Sequence, residues 1–179
     1  MAVTLFSGNG KFNREDHITM FNSNITSIDE NGIVYGDNAT WVPFGEDNDE
    51  ITREMNNELD STKNVLGKTN IDHSAGAQTT EIDPIAIRGN DVLSVILYNI
   101  FKYGLTGDKA KLQCIEVTLA DTQGENTYGA FTEDAVVDLT SWGGDTTKLS
   151  GPITLNWKGN KVHGTYNNST HEFTPTTTA

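Results

Sequence analysis

The chain has 179 residues, 25 acidic against 12 basic side chains, a formal net charge of −13 and an apolar fraction of 35%. This length holds one core without disulfide staples, and the single cysteine, Cys114, excludes an internal disulfide and mildly favours folding in a cytoplasm. The charge disfavours binding to a phosphate backbone, which needs a basic patch. With no basic-then-apolar leader and no run near ~20 apolar residues, the chain reads as soluble.

The first 31 residues pattern weakly: a turn at Gly8 to Gly10, a polar knot at Asn13 to His17, then a strand with Ile18, Met20 and, after a bend, Ile25 on its apolar side. Gly32 to Pro43 reads as a short strand, a turn at Asp37 and Asn38, and a second strand ended by Pro43. An acidic stretch follows from Gly45 to Asp60, with Arg53 its only base. A helix there would stack Glu50, Glu54 and Glu58 on one face. A long strand places every even residue from Glu50 to Asn64 on a polar side, with Ile51, Met55, Leu59 and Val65 on the other, and this reading explains more.

Gly67 to Gln78 shows no stable period and reads as a mobile loop, after which TTEIDPIAI reads as a returning strand with Pro84 at its end. Residues 46–87 thus form an over-long hairpin with a projecting polar tip, and such a tip usually has a partner.

One convincing helix spans about 91–103. Asn90 or Asp91 can cap it, Val92, Leu93, Val95, Ile96, Ile100 and Phe101 form its apolar side, and Gly104 or Gly107 can end it. Lys111 to Leu119 alternates as a strand, a Gly-Glu-Asn turn follows, and 135–173 reads as an antiparallel meander. The fold class is mainly β, a β-sandwich or barrel with one flanking helix and a long hairpin, in a single domain spanning 1–179.

Chemistry-bearing signals are few. Asp47-Asn48-Asp49-Glu50 is oxygen-rich but lacks the spaced ligands and glycine of a calcium loop, so it reads as a solvated turn. His17, His73, His163 and His171 are scattered, which argues against zinc. Cys114 lies in an apolar run, the setting of a buried structural thiol. Trp41, Trp142 and Trp157 sit among apolar neighbours, as packing rather than sugar-stacking residues do. No nucleophile elbow, phosphate loop or marked carboxylate pair appears, so neither an enzyme nor a cofactor is expected. The three Asn-X-Thr matches at Asn24, Asn38 and Asn168 are chance in an Asn- and Thr-rich chain.

Several stretches, EITREMNNELDSTKNVLGKT, GNDVLSVI, AVVDLTSWGGDTT and ITLNWKGNKVHGTYN, resemble the tail tube proteins of long-tailed bacteriophages of Gram-positive hosts. The resemblance covers most of 50–165. It implies a scaffold of hexameric rings stacked into a hollow tube, with strands of all subunits forming an inner barrel and extended loops joining rings. It further implies a place in the virion tail after assembly in the host cytoplasm. The implied partners are further copies of the chain, a tape-measure protein and terminator or baseplate proteins, with DNA passing as transient cargo and no membrane contact.

An acidic lumen would let DNA slide without sticking. Residues 1–91 hold 16 acidic and 6 basic side chains against 9 and 6 in 92–179, so the excess lies with the hairpin. Under this reading Glu50, Glu54, Glu58 and Asp60 face the channel, joined by Glu81 and Asp83, while Ile51, Met55 and Leu59 pack against the domain. The alternative is that the acidic row faces solvent. The loop carrying Gly67, Lys68, Asn70, Asp72, His73 and Gly76 would dock on the neighbouring ring, and 135–173 would form an outer frame. Competing classes are a tail terminator, the inner tube of a contractile injection device, and a capsid decoration or carbohydrate-binding module.

Overall fold

The computed structural model describes Phe6, residues 11–45, Asn48 and residues 50–176. In chain order the strands are β1 (His17–Asn22), β2 (Ile25–Asp29), β3 (Gly32–Tyr35), β4 (Trp41–Pro43), β5 (Arg53–Glu54), β6 (Glu58–Lys63), β7 (Thr69–Ser74) and β8 (Thr79–Ile82). The helix α1 (Val92–Tyr103) precedes β9 (Lys111–Gly124), β10 (Thr127–Leu139), β11 (Gly143–Gly144), β12 (Leu149–Ser150), β13 (Ile153–Trp157), β14 (Val162–Asn167) and β15 (Glu172–Pro175). The fold is mainly β with one helix, built on a curled antiparallel sheet.

That sheet runs β4-β1-β9-β10-β13-β8-β5, and β14 branches from β10 to carry β15. The branch arises because β10 is longer than either of its later partners. Its first half, Thr127 to Thr132, pairs with β14, and its second, Ala135 to Leu139, pairs with β13. The expected meander is corrected accordingly, since β13 and β14 each pair with β10 rather than with one another. The connection between them is stitched to the middle of β10: the Lys158 amide donates to the Asp134 carbonyl (3.0 Å), and the Asp134 amide to Asn160 Oδ1 (3.0 Å).

Alternation places two apolar sets on opposite faces of the central strands. On one face Phe21, Leu112, Cys114, Ala135, Val137, Ile153 and Leu155 meet Leu93, Ile96, Leu97 and Ile100 of α1. Each of the buried valine, leucine, isoleucine and phenylalanine side chains contributes about 1.5–3 kcal/mol of transfer free energy. On the other face Met20, Ile115, Val117, Ala130 and Tyr166 form a second cluster, edged by Trp41 and Phe173. Trp157 is buried in the main core, and Trp142 is partly buried against it.

Asp91 is the helix cap, its carboxylate accepting from the amides of Leu93 (3.2 Å) and Ser94 (3.0 Å), and Gly104 ends α1 in the left-handed conformation. The apolar side is narrower than expected. Val92, Val95 and Phe101 are exposed, and Leu97, fully buried, takes their place. Phe101 instead stacks on Trp142 with centroids 5.2 Å apart.

The acidic stretch also departs from expectation. The single long strand over 50–64 is broken after β5, where Asn56 takes a positive φ of 49°, and β6 starts anew at Glu58. The expected loop at 67–78 contains β7, paired with β6 from Glu58↔Ser74 to Lys63↔Thr69. The returning strand ends at Ile82, and only Ala86 bridges again, to Ser150. The turn expected at Gly8 to Gly10, and Asp47 and Asp49 of the acidic turn, lie outside the described residues.

Candidate assembly surface

Strands β6 and β7 form a two-stranded sheet of their own, every residue of which is exposed. Its turn is built locally. Asn64 Oδ1 accepts from the Leu66 and Lys68 amides (both 3.0 Å), and Gly67 sits at a φ of 75°, a conformation that a side chain would strain. Strand alternation divides this hairpin into two faces. Glu58, Asp60 and Thr62 lie opposite Ser74, Asp72 and Asn70, a polar and largely acidic face. Leu59, Ser61 and Lys63 lie opposite His73, Ile71 and Thr69. Leu59 is 73% and Ile71 66% exposed, and Val65 and Leu66 stand bare at the tip. A two-stranded sheet of this size is marginal in water on its own.

Of the residues expected to meet a neighbour, Lys68 and Gly67 therefore belong to the turn, Asn70, Asp72 and His73 to β7, and Gly76 to the root. At Gly76 the chain crosses Asn56 so closely that an added Cβ would lie 1.6 Å from the Asn56 carbonyl oxygen, which only glycine permits. The Asn56 amide group donates to the Ala77 carbonyl (2.8 Å) and to Thr79 Oγ1 (3.1 Å), closing the root.

Below the root, Arg53 turns inward. Its Nη1 donates to Glu116 Oε1 (2.9 Å), Nη2 to Glu133 Oε2 (2.6 Å) and Nε to Gln78 Oε1 (2.8 Å), while the guanidinium lies 4.1 Å from the centroid of the Trp157 ring. His17 Nε2 sits 3.2 Å from Glu116 Oε2, and the Gly159 amide donates to Glu133 Oε1 (2.7 Å). Burial pushes the Glu116 carboxyl up, but its bonds to His17 and Arg53 outweigh that and hold it below the ordinary carboxylate range. All four carboxylate oxygens have partners, so the pair is engaged in holding the cation rather than free for acid–base chemistry. The sequence marked this cluster only faintly, through one arginine in an acidic run and two glutamates within apolar strands.

The six acidic residues expected in one row are separated. Register and alternating burial put Glu54, Glu81 and Asp138 on the open face of β5, β8, β13 and β10, alongside Thr79, Thr154 and Asn156, with Ile82, Leu155 and Val137 on the reverse face. Glu81 and Asp138 both flank Thr154. Asp138 was not among the expected residues, because its strand was read as outer frame. Glu58 and Asp60 leave with the projecting hairpin, Glu50 precedes β5 and accepts from Thr52 Oγ1 (2.7 Å), and Asp83 follows β8. Ile51 packs on the main core as expected, whereas Met55 and Leu59 are exposed, because the break at Asn56 carries the chain away from the body.

No helix among the described residues is long and apolar enough to cross a membrane. Comparison with family models, with curated proteins and with solved structures finds no match to this chain.

Proposed function

We propose that this chain is a structural protein of a bacteriophage tail tube, assembling as stacked rings, hexameric by the resemblance above, around a channel that passes DNA. The observation that carries the reading is the β6–β7 hairpin. It projects from the body with Leu59, Ile71, Val65 and Leu66 uncovered, a surface that a monomer has reason to bury. A head-to-tail contact, hairpin of one copy on the body of the next, repeats along an axis and gives a filament rather than a closed dimer. Among the described residues β4, β5 and β15 are outer strands, and their free edges offer backbone groups that ring closure would satisfy.

The open face bearing Glu54, Glu81 and Asp138 suits a channel wall. Carboxylates and threonines on a regular strand face repel phosphates and offer DNA nothing to grip. In this reading Glu58, Asp60 and Asp72 belong to contacts between rings rather than to the wall. The chain acts without a cofactor and without catalysis, with a tape-measure protein and terminator or baseplate proteins as its other partners in the virion.

Negative-stain microscopy of the purified protein tests the proposal. Rings or long tubes with a central channel are expected. A monodisperse monomer or trimer at every concentration and ionic strength would overturn it.

A further inference from the structure

We infer that Arg53 is the positioning residue of the projecting hairpin, fixing the angle at which it leaves the body through a clasp set in the sheet beneath. The inference holds whatever the hairpin meets, and so stands apart from the assembly reading. Between β5 and β6 the chain has no ladder, and among the described residues β6 and β7 share no strand pairing with the main sheet. The returning leg is held to the sheet from Gln78 onward, by the Trp157 amide donating to the Gln78 carbonyl (3.0 Å) and by the β8 ladder with β13, whereas the outgoing leg has, among the described residues, two register pairs, Arg53↔Thr80 and Glu54↔Thr79, both to β8. Two rungs leave the outgoing leg, and through it the angle of the hairpin, free to shift against the returning one.

The guanidinium removes that freedom. From one planar group it reaches Gln78 beyond the returning end of the hairpin, Glu116 on β9 and Glu133 on β10, and it lies over the ring of Trp157 on β13. Both chain segments leaving the hairpin, at Arg53 and at Gln78, are thus fixed to each other and to the sheet by one rigid fork. The clasp is nearly dry: the Arg53 side chain is 14% exposed and that of Glu133 1%. Gly159 and His17 occupy the remaining carboxylate oxygens, so neither glutamate can turn away without losing a second bond. A lysine could not replace this arrangement, because an ammonium ion has no fork to span two carboxylates and an amide in one plane.

Paired spin labels at Asn70→Cys on β7 and Lys102→Cys on α1 measure the hairpin angle as a distance distribution in the full chain. The native Cys114 is buried and stays unlabelled. One narrow distribution is expected with Arg53 present. Arg53→Met should widen it by about twofold or more, Arg53→Lys nearly as much, and Gln78→Ala, which spares both ion pairs, by less. Circular dichroism should show the sheet retained in each. A distribution already broad with Arg53 present would overturn the inference, as would an unchanged width in Arg53→Met. Should that variant fail to fold, an unchanged width in both Arg53→Lys and Gln78→Ala would overturn it equally.

Discussion

The Arg53 guanidinium lies face-on to Trp157, 4.1 Å from the ring centroid, and Trp157 in turn donates its indole N–H to Thr80 Oγ1 at 2.9 Å. One tryptophan therefore links the cation, the hairpin root and the main core. Replacing Trp157 by alanine should cost about 3–5 kcal/mol in urea unfolding, the range for a large buried aromatic. The same change at half-buried Trp142, which rests against Phe101 and Tyr98, should cost clearly less. Equal losses at the two positions would contradict this division of the core.

Stability should fall in acid through Glu116. Its folded carboxyl titrates below its unfolded value, so the folded state gains from its ionised form above the unfolded pKa, and that gain disappears as pH falls through the folded one. Thermal melts from pH 7 downward should show a decline steepest below the ordinary carboxylate range. Glu116→Gln should be less stable at neutral pH and flatter across the same window. A parallel decline in both proteins would place the acid sensitivity elsewhere.

Removing one carboxylate from the clasp should be costly. Glu133→Leu leaves Arg53 with one charged partner and the Gly159 amide with none, and breaking a buried pair in this way costs about 3–5 kcal/mol. Chemical denaturation of the variant checks this, and a loss under about 1 kcal/mol, the size of a surface ion pair, would show that water enters the clasp.

The uncovered hairpin predicts a separation between folding and assembly. Leu59→Ser with Ile71→Ser removes apolar area that the single chain leaves in water, so monomer stability should change by no more than about 0.5 kcal/mol. Tube formation, followed by sedimentation, should be abolished. Tubes of normal length from this double variant would exclude the hairpin from the contact.

The proposed channel lining predicts a charge effect on DNA. Tubes assembled from Glu54→Lys with Glu81→Lys should retain DNA, with affinity falling steeply as salt rises, whereas unmodified tubes should not. Retention equal in both, with intact tubes, would put that face on the outer wall.

Much of the body was legible in the sequence. Asp91 and Gly104 bracket the helix because capping chemistry is local, β13 appears where alternating apolar residues reach a buried face, and β14 and β15 where β-branched and aromatic residues fall between turn residues. Strand β7 is hidden in the sequence for the converse reason. Thr69 to Ser74 buries nothing, and without a buried face a strand has no apolar period to read. The break at Asn56 and the division of β10 between two partners were likewise hidden, the first carried by one backbone angle and the second by pairings distant in sequence. Arg53 reads in the sequence as the only base of an acidic stretch, because its two glutamate partners lie 63 and 80 residues away.

The pairing of β1 with β9 and of β8 with β13 has a temporal side. As the chain leaves the ribosome, β1, β4, β5 and β8 wait without a sheet to join until β9 to β13 have been made, and the β9–β10 hairpin is the largest element able to form from neighbouring residues alone. The emerging first half is strongly acidic. Net charge of one sign opposes association between such incomplete chains, so the acidity of the first half has a consequence for folding whatever the finished protein does.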